Sequence, residues 1–80
     1  MKIQVLLFGI TTDLLGTSSL EIEVPSNCSV ANLKKQLLQL HSQLENINSY
    51  AFAVNEEYAS NETELKQNDV VAIIPPVSGG

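Results

Sequence analysis

The sequence has 80 residues, 44% of them apolar, and a formal net charge of −5. That length supports one small domain, and the apolar share fits a folded chain rather than a disordered one. Its four basic residues are all lysines, too few and without the arginine forks of a nucleic-acid binder, whereas an acidic balance suits docking on a basic protein surface. Along residues 2–8 the pattern alternates: Ile3, Val5 and Leu7 on one face, Lys2, Gln4, Leu6 and Phe8 on the other. This predicts a strand with one buried face. Residues 9–18, with Gly16 among threonines and serines, read as a loop. Leu20, Ile22 and Val24 then alternate with Ser19, Glu21 and Glu23, giving a second strand that Pro25 ends. The short separation makes these two strands a hairpin.

Ser29 offers an N-cap hydroxyl to the first helical amides. Val30, Leu33, Leu37, Leu40 and Leu44 follow at the spacing of an amphipathic helix, with Lys34, Lys35, Gln36 and Gln39 on its wet side. A polar stretch over residues 45–49 leads to a third strand at 50–54. Asn55, Glu56 and Glu57 form a turn, residues 59–68 read as loop, and 70–74 make the last strand. The order strand-strand-helix-strand-strand is α+β, one helix covering one face of one mixed sheet. Its natural arrangement puts the first and last strands side by side in the middle, as in a ubiquitin-like β-grasp. We expect a domain over residues 1–74 and a flexible tail over 75–80.

The tail reads Pro75-Pro76-Val77-Ser78-Gly79-Gly80. Two prolines fix their own φ and remove two amide donors, which stops the strand and stiffens the tail's base. Two glycines carry no side chains and let another protein approach the backbone closely. Fully extended, such a tail reaches on the order of 20 Å. The reactive group it offers is the carboxylate of Gly80.

Other chemistry is poorly supported. Cys28 is the lone cysteine, which leaves no partner for a disulfide and no base beside a catalytic thiol, so it reads as an inert loop or helix-entry residue. His41 is also single, with no second ligand at metal spacing, and no metal site is expected. No apolar run is long enough to span a membrane, and the first residues lack a signal peptide's apolar core. A cytoplasmic protein with no membrane and no nucleic-acid partner is the expectation.

With the elements placed, the sequence resembles the small, sulfur-carrying subunits of molybdopterin synthase. Residues 5–9 (VLLFG) and the acidic-Leu-x-Gly run Asp13-Leu14-Leu15-Gly16 match that family's first strand and loop. Ser29-Val30-Ala31-Asn32-Leu33 matches its helix start, and Ala53-Val54-Asn55-Glu56-Glu57-Tyr58 its "AVNxEY" strand and turn. The most specific piece is the apolar strand from Asp69 running into PPVSGG. Three departures stand out: Asn68 where glycine is usual, Asn32 where glutamate is usual, and Ile10-Thr11-Thr12 where arginines are common. Asparagine tolerates left-handed angles, so the turn at Asn68 should survive.

The resemblance implies that a separate adenylating enzyme uses ATP to activate Gly80, that sulfur replaces AMP, and that the thiocarboxylate passes sulfur to precursor Z. It implies no bound cofactor, catalytic side chains on the large subunit, and a heterotetramer with two copies of each. The residues Pro75, Pro76, Val77, Ser78 and Gly79 would thread the large subunit's pocket. Docking needs a surface near the tail's root. Alternation in strand one leaves Leu6 and Phe8 on the face away from the helix, where a solvated strand should be polar, and the last strand adds Ala72 and Ile74 if Val71 and Ile73 point to the core. Phe8, Tyr58 and Ile74, with Leu6, are the expected anchors, since matching positions contact the large subunit in the family. Alternatives remain: a sulfur carrier for thiamine or tRNA thiolation, a ubiquitin-like modifier of lysines, or an interaction domain whose tail is inert.

Overall fold

Strand β1 (Lys2–Leu7), helix α1 (Ile10–Leu15), strand β2 (Ser19–Glu23), helix α2 (Val30–Leu40) and strands β3 (Ala51–Val54), β4 (Glu57–Tyr58) and β5 (Val70–Ile74) follow one another in the computed structural model, which describes residues 1–76. Single 3₁₀ turns at Ser42–Leu44 and Ile47–Ser49 join α2 to β3. The sheet has the order β2-β1-β5-β3-β4. β1 runs antiparallel to β2 and parallel to β5, and β3 runs antiparallel to both β5 and β4. The first and last strands are therefore central neighbours, as the element order suggested, and the architecture is the β-grasp.

Pairing sorts the side chains by face. Val5 stands opposite Val71, and Leu7 opposite Ile73, which in turn faces Phe52. All of these are buried, and they join Val30, Leu33 and Leu37 of α2 in one core. Each such aliphatic side chain contributes about 1.5–3 kcal/mol by leaving water. Ser29 caps α2 as expected, its hydroxyl accepting from the Asn32 amide at 3.2 Å. The segment before β5 completes that cap: the Val30 amide donates to the Thr63 carbonyl at 2.9 Å and the Ala31 amide to Asn61 at 3.0 Å. Residues 59–68 are thus a loop, as read, but one tied to the helix start and anchored by buried Leu65.

The structure departs from the sequence reading in three places. Residues 10–15 form a helix rather than a loop; its C-terminus is closed by Gly16 in the left-handed region (φ 70°), whose amide donates to the Thr12 carbonyl at 2.8 Å. Six residues are too few to show a helical period, and two adjacent β-branched threonines are weak helix formers. The long helix ends at Leu40 instead of running to Leu44, because His41 leaves helical geometry (φ −135°, ψ 84°). Leu40, read as part of the apolar stripe, is 60% exposed, while Leu44 and Ile47 of the 3₁₀ turns take the buried places beyond Leu37. Finally, Glu57 belongs to a strand, not a turn: Ala53 pairs with Tyr58 and Val54 with Glu57 across a two-residue connection. Asn55 (φ 50°) and Glu56 (φ 73°) both take positive φ, the requirement of a type I′ hairpin.

Candidate functional site

The sheet face away from α2 is divided into two halves. Toward the start of β1 it is charged, with Lys2 and Gln4 exposed and the Lys2 ammonium 3.5 Å from the Glu21 carboxylate. Toward the other end it turns apolar. Leu6 stands opposite Ala72, Ala72 opposite Ala53, and Ala53 opposite Tyr58, so one row crosses four strands. Paired residues share a face, so this row carries its side chains together. Leu6 and Ala72 are half-buried; the Tyr58 ring, at 80% exposure, is nearly bare.

Phe8 follows Leu7, the residue opposite Ile73, and so stands beside the end of β5 with 49% exposure. Ile74, opposite Ala51, is half-buried. A shallow depression of about 450 Å³ lies on this face, lined by Leu6, Phe8, Asn55, Glu56, Val70 and Ala72. The four expected anchors thus lie on or beside one surface at the point where β5 ends. Glu56, exposed and lining the depression, borders the patch with negative charge.

Two local devices hold this surface in place, and neither was singled out from sequence. Asn55 takes the αL conformation at the hairpin turn and faces β5 at the same time. Its amide donates to the Asp69 carboxylate at 2.9 Å, its carbonyl oxygen accepts from the Val70 amide at 3.1 Å, and its main-chain N–H donates to the Val70 carbonyl at 2.8 Å. The hairpin that carries Tyr58 is thereby pinned to the central strand. The second device is Thr11, fully buried, whose hydroxyl donates to the Phe8 carbonyl at 2.6 Å and accepts from the Phe8 amide at 3.1 Å. The Thr12 hydroxyl donates to the Leu7 carbonyl at 3.0 Å. The main chain leaving β1 is therefore fixed on both sides of Phe8. A Thr-Thr pair just past a strand and an Asn at a turn were the available signals.

At the tail, Pro75 is half-buried and packs beside Gly9, while Pro76 is exposed. The expectations placed on Val77, Ser78, Gly79 and Gly80 lie outside the described residues. Cys28 is buried, which pushes its thiol up from the ordinary cysteine range, and its S–H donates to the Ser29 carbonyl at 3.4 Å. A protonated, enclosed thiol is a poor nucleophile, in keeping with the reading of Cys28 as inert. His41 caps the end of α2 through its main-chain N–H, 2.8 Å from the Leu37 carbonyl. Among the described residues no cluster of His, Cys, Asp or Glu could hold a metal ion, and no helix is long and apolar enough to cross a membrane.

The ThiS family model matches residues 5–80. The chain is 35% identical over 81 residues to the molybdopterin synthase sulfur carrier subunit of Arabidopsis thaliana, covering 100% of this chain and 84% of that one. Among solved structures it matches SAMP1 from Haloferax volcanii with a TM-score of 0.90 and 22% identity, each chain covered in full, a likeness that shows the fold. It also matches, with a TM-score of 0.71, 28% identity and full coverage of both chains, a chain in the complex of subunits 1 and 2 of the molybdopterin-converting factor from Helicobacter pylori.

Proposed function

This chain belongs to the ThiS family, grouping with the sulfur carrier subunits of molybdopterin synthase, and from that premise we propose how it works. The carboxylate of Gly80 is its working group. A terminal carboxylate has a pKa of about 3.5, is ionised at neutral pH and is a poor acyl donor, so it needs activation. A separate adenylating enzyme spends ATP to make the acyl adenylate, and sulfur then displaces AMP to leave a thiocarboxylate. This chain itself binds no cofactor. Its sulfur, a soft nucleophile at the end of a narrow tail, enters the large subunit of the synthase and is passed to precursor Z. The acid and base groups of that transfer belong to the large subunit.

The observation that carries this reading is the apolar surface of Leu6, Phe8, Ala72, Ile74 and Tyr58 at the place where β5 hands over to Pro75. A patch of that kind beside a projecting tail suits a partner that must grip the domain and receive the tail together. The carboxylate of Glu56 at its rim suits a partner that is basic there. The Helicobacter pylori structure pairs the corresponding subunit with its subunit 2. The same arrangement, doubled to a heterotetramer, is the assembly proposed for this chain.

Intact mass of the chain isolated from its native cells tests the chemistry. A fraction heavier by one sulfur-for-oxygen exchange, localised to Gly80, is expected. Deleting Gly80 should abolish sulfur transfer while the shortened chain still binds the large subunit. A Gly80-deleted chain that supports the reaction, or a native chain that never carries sulfur, would defeat the proposal.

A further inference from the structure

The geometry points to a second duty for the turn between β1 and α1: we propose that Gly9 and Thr11 form a seat that aims the tail, Thr11 acting as a positioning residue. This inference rests on the carrier reading, because aim matters only if residues beyond Pro76 work inside a partner.

Gly9 has φ 57° and ψ −132°, a combination that side chains resist. It also meets the tail: a Cβ at Gly9 would lie 3.2 Å from the Pro75 Cγ, close enough that the ring would have to give by a few tenths of an ångström. The absence of a side chain at Gly9 therefore lets the Pro75 ring lie directly against the main chain of the turn. That main chain is held in turn by Thr11, through its hydroxyl bonds to both the Phe8 amide and the Phe8 carbonyl, and by the Thr12 hydroxyl bond to Leu7.

Pro75 is thus constrained from two directions. β5 fixes its N-terminal side through Ile74, the last residue paired with β3. Gly9 fixes the ring itself, whose φ the pyrrolidine already restricts. With both ends of that link set, the direction in which the chain leaves Pro75 is a property of the folded domain. A nucleophile at the end of a tail gains or loses rate according to how well it is aimed. Thr11 touches no reacting atom; its part is to keep Gly9 where Pro75 needs it.

The test uses the full chain carrying a synthetic thiocarboxylate at Gly80, the large subunit of the synthase, and its acceptor substrate. Gly9→Ala, Pro75→Ala and Thr11→Val are each expected to slow sulfur transfer at saturating large subunit about ten-fold or more. For Gly9→Ala and Pro75→Ala, which leave the Thr11 bonds to Phe8 in place, the KM for the carrier should change less than about two-fold. Thr11→Ser, which keeps the hydroxyl, should restore the rate. In the free protein, nuclear Overhauser contacts between the Gly9 Hα and the Pro75 ring should be present in the wild type and lost in Gly9→Ala. Should Gly9→Ala fail to fold, Pro75→Ala relieves the same contact from the tail side. An unchanged saturating rate in Gly9→Ala or Pro75→Ala, or a loss confined to KM, overturns the seat while leaving the carrier reading standing. A wild-type chain that passes no sulfur overturns the carrier reading first, and the purpose of the seat with it.

Discussion

At the residue scale, a few polar side chains hold the working face together, Thr11 and Thr12 locally and Asn55 across a long stretch of sequence. Asn55 is the clearest case, since its side chain bonds Asp69 and Val70, fourteen and fifteen residues away. Asn55→Ala should cost about 2–4 kcal/mol, combining lost hydrogen bonds with a positive φ that alanine resists. Asn55→Gly keeps the turn and loses only the side-chain bonds, so urea denaturation of the two variants should rank them in that order. The sequence marked Asn55 as part of a recognisable run but could not show its partners, which become neighbours only when β3 and β5 pair. Asn68 was more legible. It takes φ 70°, the left-handed angle expected of an asparagine standing where glycine is usual.

At the element scale, legibility followed the strength of the period. β1 and β2 alternate along one face and β5 is a continuous apolar run, and the pairing of these strands could be anticipated. α1 and β4 have six and two residues, and no pattern that short outvotes its surroundings. Tertiary contacts make them: α1 exists because Gly9 turns the chain and the half-buried Leu14 and Leu15 meet the core. α2 shows the same limit at its end, where the leucine stripe continues past the residue at which burial stops. Leu37→Ala should therefore destabilise the fold by about 2–5 kcal/mol, because a fully buried leucine leaves a cavity. Leu40→Ala, three residues on along the same stripe, should change stability by less than about 0.5 kcal/mol. Thermal melting of the pair checks both, and equal losses would show that Leu40 is better covered than its 60% exposure indicates.

At the scale of the whole molecule, one face builds the core and the other stays free. Because Phe8 contributes to the second and is 49% exposed, Phe8→Asp should leave the melting curve close to wild type. It should also weaken association with the large subunit by about ten-fold or more, since a charge would have to be desolvated at an apolar contact. Calorimetry measures this, and unchanged binding would remove Phe8 from the docking surface. The face of β1 was readable from Lys2, Gln4 and the apolar residues between them, whereas β5, apolar throughout, left its face open. The row that brings Tyr58 into line with Leu6 was not readable either, because it depends on a register set by four strands together. The parallel pairing of β1 with β5 carries a further consequence, for biosynthesis. A parallel pair cannot be closed by a hairpin, so β1 must wait for nearly the entire chain before it gains its central neighbour. A ribosome that has released β2 and α2 has still not supplied the strand that completes the sheet. Folding can be completed only at that last step, and a chain truncated before Val70 lacks the strand that joins β1 to β3. Any copy that has folded has therefore already made the strand from which the tail departs.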